Sequence, residues 1–119
     1  MNSLKNLPRR INYKVRITPV AEKDLAEIYG YIARDNPSAA AKFFKELRKK
    51  AHTLKWSPQR CAKIPEKIDV PYEYRHLIVK RYRIIFCILD DTVWVMRIVH
   101  GARQLDLVTL LYFTQSLSR

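Results

Sequence analysis

The side chains of this chain that could do chemistry are mostly basic, and their spacing does not suit a metal. His52, His76 and His100 lie 24 residues apart, whereas a zinc site needs four closely spaced cysteine or histidine ligands. Cys61 and Cys87 are the only cysteines, and Cys87 lies in an apolar run, where a small buried side chain is usual. The sequence therefore predicts no metal ion, no cofactor and no disulfide.

The remaining candidates are arginines and histidines on neighbouring predicted strands. A tight turn at Asp90-Asp91 would pair position 83 with position 98 and position 81 with position 100. Arg81, Arg83 and His100 would then project from one face of the sheet, because side chains alternate between faces along a strand. A second tight turn at positions 80 and 81 would place His76 on the same face.

The opposite face of these strands is predicted to be apolar and to cover the helices. It would carry Leu77, Val79, Tyr82, Ile84, Phe86, Ile88, Val93, Val95 and Val99. One face would then be cationic and the other hydrophobic. A register slip of one residue would exchange the two faces.

Each candidate residue also has a purely structural interpretation. Arg83 could form an ion pair with a carboxylate such as Asp90 or Asp106. A histidine at the end of a strand, as His100 is, more often makes a structural hydrogen bond than acts as a general base. Base stacking or packing in the core are both open for the two tryptophans, Trp56 and Trp94.

A strand, a helical hairpin and three further strands are predicted to position these side chains. Apolar and polar residues alternate from Asn12 to Thr18, which is typical of a strand with one buried face. Thr18-Pro19 and Asn36-Pro37 are typical helix starts, and apolar side chains follow each at helical spacing. Three later segments rich in β-branched and aromatic residues predict strands, at Tyr74–Val79, Tyr82–Leu89 and Thr92–His100. Residues 57–71 are expected to form a loop, and Leu105, Val108 and Leu111 have the spacing of a short helix.

These elements predict an α+β fold: a small curved antiparallel β-sheet with an N-terminal strand and a two-helix hairpin packed on one face. A chain of 119 residues is expected to form one core. We expect an N-terminal tail at 1–11, a single domain at 12–103, and a C-terminal helix or tail at 104–119.

The net charge of +12, from 23 Lys and Arg against 11 Asp and Glu, predicts a polyanionic or acidic partner. The excess lies in the middle of the chain, since residues 37–55 hold six basic residues and one acidic residue. No segment is apolar enough for a transmembrane helix, and the N-terminal residues do not resemble a signal peptide. A cytoplasmic location without membrane contact is the expectation.

Four motifs occur in a fixed order along these elements. The segment Ala21 to Ile32 reads AEKDLAEIYGYI, and Asn36-Pro37 precedes the second helical stripe. The two others lie in the strands, where Arg75-His76-Leu77 precedes Tyr82-Arg83-Ile84-Ile85-Phe86, and at the end, Val99-His100-Gly101-Ala102-Arg103. Together they resemble the ParE/RelE toxin superfamily over most of the chain, and the last motif resembles the ParE-like branch.

The resemblance implies the toxin of a type II toxin–antitoxin system, neutralised by a cognate antitoxin within a hetero-oligomer. ParE-like toxins bind DNA gyrase, whereas RelE-like toxins are ribosome-dependent mRNA endoribonucleases. Whether this chain is an enzyme therefore depends on its branch. A non-toxic basic RNA-binding module is a third alternative, which accounts for the charge but not for the ordered motifs.

Arg83 and Arg103 match arginines of the RelE-like nucleases. If the chain is a ribonuclease, the resemblance implies Arg83, His100 and Arg103 as catalytic residues, with His76 and Arg81 in support. The lysine pair of those nucleases falls on Tyr74 to His76 and is missing here, which favours gyrase inhibition. For target binding, the implied residues are Arg75, His76, Arg81, Arg83 and Arg103.

Overall fold

The computed structural model describes residues 12–117 of the chain; the predicted tail at 1–11 lies outside this range. Four strands and three helices follow in the order β1 (Lys14–Ile17), α1 (Pro19–Ala33), α2 (Pro37–His52), β2 (Tyr74–Val79), β3 (Tyr82–Leu89), β4 (Thr92–His100) and α3 (Leu107–Leu117). Two short 3-10 turns, Thr53–Lys55 and Pro58–Arg60, lie in the connection from α2 to β2. The α+β fold class is confirmed.

Both helices of the hairpin begin where the sequence predicts. The Thr18 hydroxyl accepts a hydrogen bond from the Ala21 amide at 3.2 Å, and the Asn36 side chain accepts one from the Ala39 amide at 3.1 Å. Each cap satisfies an amide that lacks a partner within its own helix, which stabilises a helix by about 0.5–2 kcal/mol. Thr18 also donates to the Met96 carbonyl oxygen at 3.3 Å, so the same residue attaches α1 to β4.

The sheet has the strand order β1-β4-β3-β2, and it is mixed. Strands β2, β3 and β4 form the predicted antiparallel meander. The prediction of a fully antiparallel sheet is wrong for β1, which pairs parallel to β4. The helical hairpin carries the chain back across the sheet before the meander begins, so β1 and β4 run in the same direction.

A β-bulge between β3 and β4 changes the predicted register. Next to the Asp90-Asp91 turn the pairing is as predicted, with Leu89 opposite Thr92. At Met96 an extra residue enters β4, and beyond it Arg83 lies opposite Val99 and Tyr82 opposite His100. A bulge of this kind moves every later residue of one strand by one position against its partner.

Each face of the sheet covers a hydrophobic core. The first core lies under the α1–α2 hairpin and contains most of the predicted apolar face, with Ile98 in place of Val99 because of the bulge. The other face was predicted to be exposed and basic, which is wrong. It packs against α3 and the 61–72 loop in a second core around Ile85, Cys87, Met96, Val99 and Leu110.

Candidate functional sites around Arg83 and Tyr82

Arg83 lies at the edge of the second core and forms an internal ion pair. Its side chain is only 7% exposed, and two of its nitrogens donate to the two Glu66 carboxylate oxygens at 2.8 Å each. Its Nε donates to Nδ1 of His76 at 3.0 Å. The prediction that Arg83 and His76 share a face is confirmed, but the carboxylate that binds Arg83 is Glu66 and neither Asp90 nor Asp106.

The electrostatics of this cluster keep Glu66 charged and His76 neutral near pH 7. The hydrogen bonds from Arg83 lower the pKa of Glu66. Burial, and secondly the charge of Arg83, lower the pKa of His76. Since the guanidinium fork already holds a carboxylate and His76 accepts its Nε–H, the cluster presents no open phosphate-binding fork.

Arg75 binds groups of its own chain in a similar way. Its Nη1 donates to the Cys61 carbonyl oxygen at 2.6 Å, and its Nη2 lies 3.4 Å from Glu73. Amide hydrogen bonds from Ile64 to Tyr74 and from His76 to Ala62 continue this attachment. Arg75 therefore holds the start of the 61–72 loop against β2.

His100 lies on the opposite face of the sheet from Arg83, contrary to the predicted shared face. It is the partner of Tyr82 across the strands, and the two rings meet edge to face with centroids 5.4 Å apart. Its Nδ1 accepts the Ala102 amide at 3.1 Å. The bulge at Met96 separates His100 from Arg83, so these two predicted catalytic residues do not form one site.

The turn after His100 explains the glycine of the closing motif. The Gly101 amide donates to the Arg81 carbonyl oxygen at 2.7 Å. A Cβ atom at position 101 would lie only 3.3 Å from that oxygen. A glycine at this position allows the end of β4 to approach the β2–β3 turn closely.

Tyr82 separates two adjoining depressions on the hairpin side of the sheet. The larger has a volume of about 420 Å³ and apolar walls formed by Ile32, Ala39, Phe43 and Tyr82. Its rim is charged and consists of Lys42, Glu46, Lys80 and Arg81. The smaller, of about 180 Å³, lies between α1 and the end of β4 and includes Tyr31, His100 and Arg103. We call the two together the Tyr82 groove.

The structure thus divides the predicted site residues into two sets on opposite faces. Arg75, His76 and Arg83 belong to the buried cluster, whereas Arg81, His100 and Arg103 surround the Tyr82 groove. Sequence reasoning missed Glu66, which lies in a loop without periodicity. It also missed Tyr82 and Phe43 as groove residues, although strand alternation already placed Tyr82 on the hairpin side.

Metal and thiol chemistry find little support in the part of the chain that the structure describes. Within residues 12–117, no group of three or more His, Cys, Asp or Glu side chains is placed to hold a metal ion. Both cysteines are buried and unbridged, and burial raises the pKa of Cys87 to about 12. No helix within the same range is long and apolar enough to cross a membrane.

Comparison with known proteins identifies the family. A model of the family described as ParE toxin of type II toxin–antitoxin system, parDE, matches residues 15–105. This span contains the complete sheet, the helical hairpin and both candidate sites. The chain belongs to this family of ParE toxins of type II toxin–antitoxin systems.

Solved structures with similar folds are toxin–antitoxin proteins. A chain of the chromosomal ParDE system from P. aeruginosa is 21% identical with a TM-score of 0.64, and the match covers 74% of this chain and 95% of that one. A chain of the toxin–antitoxin complex RelBE2 from Mycobacterium tuberculosis is 23% identical with a TM-score of 0.52, covering 78% and 95%. No curated protein sequence matches. At these identities the two structures support the fold.

Proposed function

We propose that this ParE-family toxin acts in the cytoplasm by binding and inhibiting DNA gyrase, and that a cognate antitoxin neutralises it. The observation that carries the proposal is the separation of Arg83 from His100. Arg83 is buried against Glu66 on one face of the sheet, and His100 lies on the other. A binding toxin does not need these residues to converge.

A ribonuclease does need such convergence. Cleavage by the 2′-hydroxyl requires a proton acceptor, a donor for the leaving group and stabilisation of the developing phosphorane charge. Here the best placed guanidinium is already bound to a carboxylate, and the lysine pair of the RelE-like nucleases is missing. These observations favour inhibition by binding over catalysis.

A ribosome-dependent mRNA endoribonuclease is the second candidate, and one observation favours it. Glu66, His76 and Arg83 bring a carboxylate, an imidazole and a guanidinium within hydrogen-bonding distance of one another. These are the group types that acid–base cleavage of a phosphodiester uses. The cluster would have to open before Arg83 could bind a phosphate.

The antitoxin is proposed to be a small acidic protein encoded by the neighbouring gene, forming a toxin–antitoxin hetero-oligomer with this chain. Both similar solved structures come from toxin–antitoxin systems, and a net charge of +12 favours an acidic partner. Expression of this chain alone should arrest bacterial growth, and co-expression of the neighbouring gene should relieve the arrest. Normal growth with confirmed folded protein would instead support the non-toxic RNA-binding alternative.

The target is tested with two assays on the purified chain, one of DNA supercoiling by gyrase and one of the integrity of ribosome-bound message. We expect inhibited supercoiling with intact message. Arg103→Ala and His100→Ala are exposed substitutions suited to the same assays, and neither should produce or abolish message cleavage. Cut message with normal supercoiling would reverse the proposal in favour of the ribonuclease.

A further inference from the structure

The Tyr82 groove combines an apolar interior with a cationic rim. The rings of Phe43 and Tyr82 lie 5.5 Å apart at its base, and Ile32 and Ala39 complete the apolar wall. Its larger depression, at about 420 Å³, falls within the range of about 300–1,000 Å³ typical of ligand sites. An apolar side chain of a partner could therefore enter it.

The charges on the rim are only partly neutralised within the chain. Lys80 lies 3.2 Å from Glu46, and its ammonium also lies over the Phe43 ring. Among the described residues, Lys42 and Arg81 form no ion pair, and neither does Arg103 at the other end of the groove. The smaller depression also contains Glu27, so the excess of positive charge is greatest beside Lys42 and Arg81.

The ring of Tyr82 is poorly placed to bind a nucleobase. Phe43 packs on it at an interplanar angle of 49°, and His100 meets it edge to face at 77°. Base stacking on aromatic platforms needs an accessible ring face. Carboxylates, in contrast, form strong charge-assisted hydrogen bonds with lysine and arginine side chains.

We propose that the Tyr82 groove binds an acidic amphipathic segment of the antitoxin. One apolar or aromatic side chain enters the larger depression, and neighbouring carboxylates pair with Lys42 and Arg81. This mode corresponds to a peptide that places apolar anchors in a groove and charged groups on its rim. The inference rests on the proposed toxin function, since that function supplies the antitoxin.

The test uses two charge-reversal variants that differ only in position. Lys42→Glu with Arg81→Glu alters the rim of the groove, whereas Lys49→Glu with Lys50→Glu makes the same charge change at exposed positions further along α2. A third variant, Ala39→Phe, fills the larger depression without changing the charge. Circular dichroism and thermal melting first establish that all three remain folded.

Binding of the neighbouring gene product is measured by calorimetry at physiological salt. We expect the Lys42/Arg81 variant and Ala39→Phe to weaken binding by at least about tenfold, and the Lys49/Lys50 variant to stay within about threefold of the wild-type Kd. Equal weakening by both charge variants would show a non-specific charge effect and overturn the proposal. Unchanged binding by the groove variants would also overturn it.

Defined probes separate failure of the groove from failure of the toxin function. A copolymer of glutamate and tyrosine should bind the wild-type chain more tightly than polyglutamate does, and a short single-stranded DNA should not displace it. If the chain arrests growth and binds its antitoxin but the groove variants bind normally, the groove is wrong and the function stands. If the chain neither arrests growth nor binds the antitoxin, the function fails, and the copolymer still decides whether the groove binds acidic aromatic peptides. Displacement of the copolymer by the DNA would assign the groove to nucleic acid instead.

Discussion

Tyr82 and Arg83 are adjacent in the chain and lie in opposite environments. Successive side chains of a strand point to opposite faces, so Tyr82 packs beside the helical hairpin while Arg83 enters the second core. A buried guanidinium without a counter-ion destabilises a fold strongly. Glu66 therefore has a structural role that does not depend on any activity of the toxin.

Replacing Glu66 by glutamine should destabilise the fold in a pH-dependent way. Glutamine keeps the shape but removes the charge, so at pH 7 the free energy of unfolding should fall by about 2 kcal/mol. Because Arg83 lowers the pKa of Glu66, the carboxylate is ionised throughout the neutral range. Its contribution is complete above the unfolded pKa of about 4.3 and is lost as the pH falls through the lower folded value.

Urea unfolding of the wild type and the variant across this pH range measures the effect. Glu73→Gln is the matched control, since Glu73 is 49% exposed beside Lys63 and Arg75, and it should change stability by at most about 1 kcal/mol. Equal effects of the two substitutions at pH 7, or a Glu66 effect that persists well below pH 3, would contradict the buried ion pair.

At the scale of the elements, local signals predicted most of the fold, and the failures have identifiable physical causes. The caps at Thr18 and Asn36 and the strand boundaries follow from chemistry near in sequence, so they were predicted correctly. The bulge at Met96 has no glycine or other local signal, which is why Val99 and His100 were assigned to the wrong faces. The covering of the second face depends on apolar residues without periodicity, and no spacing rule identifies them: Ile64, Ile68 and Val70.

Helix α3 is an integral part of the second core. Leu110 is 1% exposed within that core, and the Tyr74 hydroxyl donates to Thr114 at 2.8 Å in a buried contact between β2 and α3. Leu110→Ala should lower the free energy of unfolding by about 2–5 kcal/mol, because it removes buried methyl groups and leaves a cavity.

Val108→Ala on the same helix provides the control. Val108 is 80% exposed, so its replacement should change stability by at most about 0.5 kcal/mol. Denaturant unfolding followed by circular dichroism compares the two. If Leu110→Ala costs no more than Val108→Ala, α3 does not pack on the sheet as described.

For the whole molecule, the ion pairs leave a large positive excess at the surface. Arg83 pairs with Glu66 and Arg97 with Asp24, and Arg48 pairs with Glu22 between the two helices of the hairpin. These pairs use acidic residues of a chain that has only 11 of them. The remaining lysines and arginines give the molecule a field that attracts an acidic partner from a distance.

This field and the Tyr82 groove should act on different rate constants of antitoxin binding. Long-range attraction accelerates encounter and is screened by salt, since the Debye length falls from about 10 Å at 0.1 M to about 3 Å at 1 M. Short-range contacts in a groove chiefly set dissociation. The Lys42/Arg81 and Lys49/Lys50 double variants each replace two positive charges by two negative ones, which lowers the net charge from +12 to +8 in both cases.

Stopped-flow or surface-based kinetics across a salt series separates the two effects. We expect both variants to associate more slowly than the wild type at low salt and to converge with it at high salt, because their net charges are equal. Only the Lys42/Arg81 variant should dissociate faster, by about tenfold or more, and this difference should persist at high salt because an apolar anchor is held less firmly. Faster dissociation of both variants would assign the affinity to overall charge, whereas association rates independent of salt would exclude electrostatic steering by this strongly basic toxin.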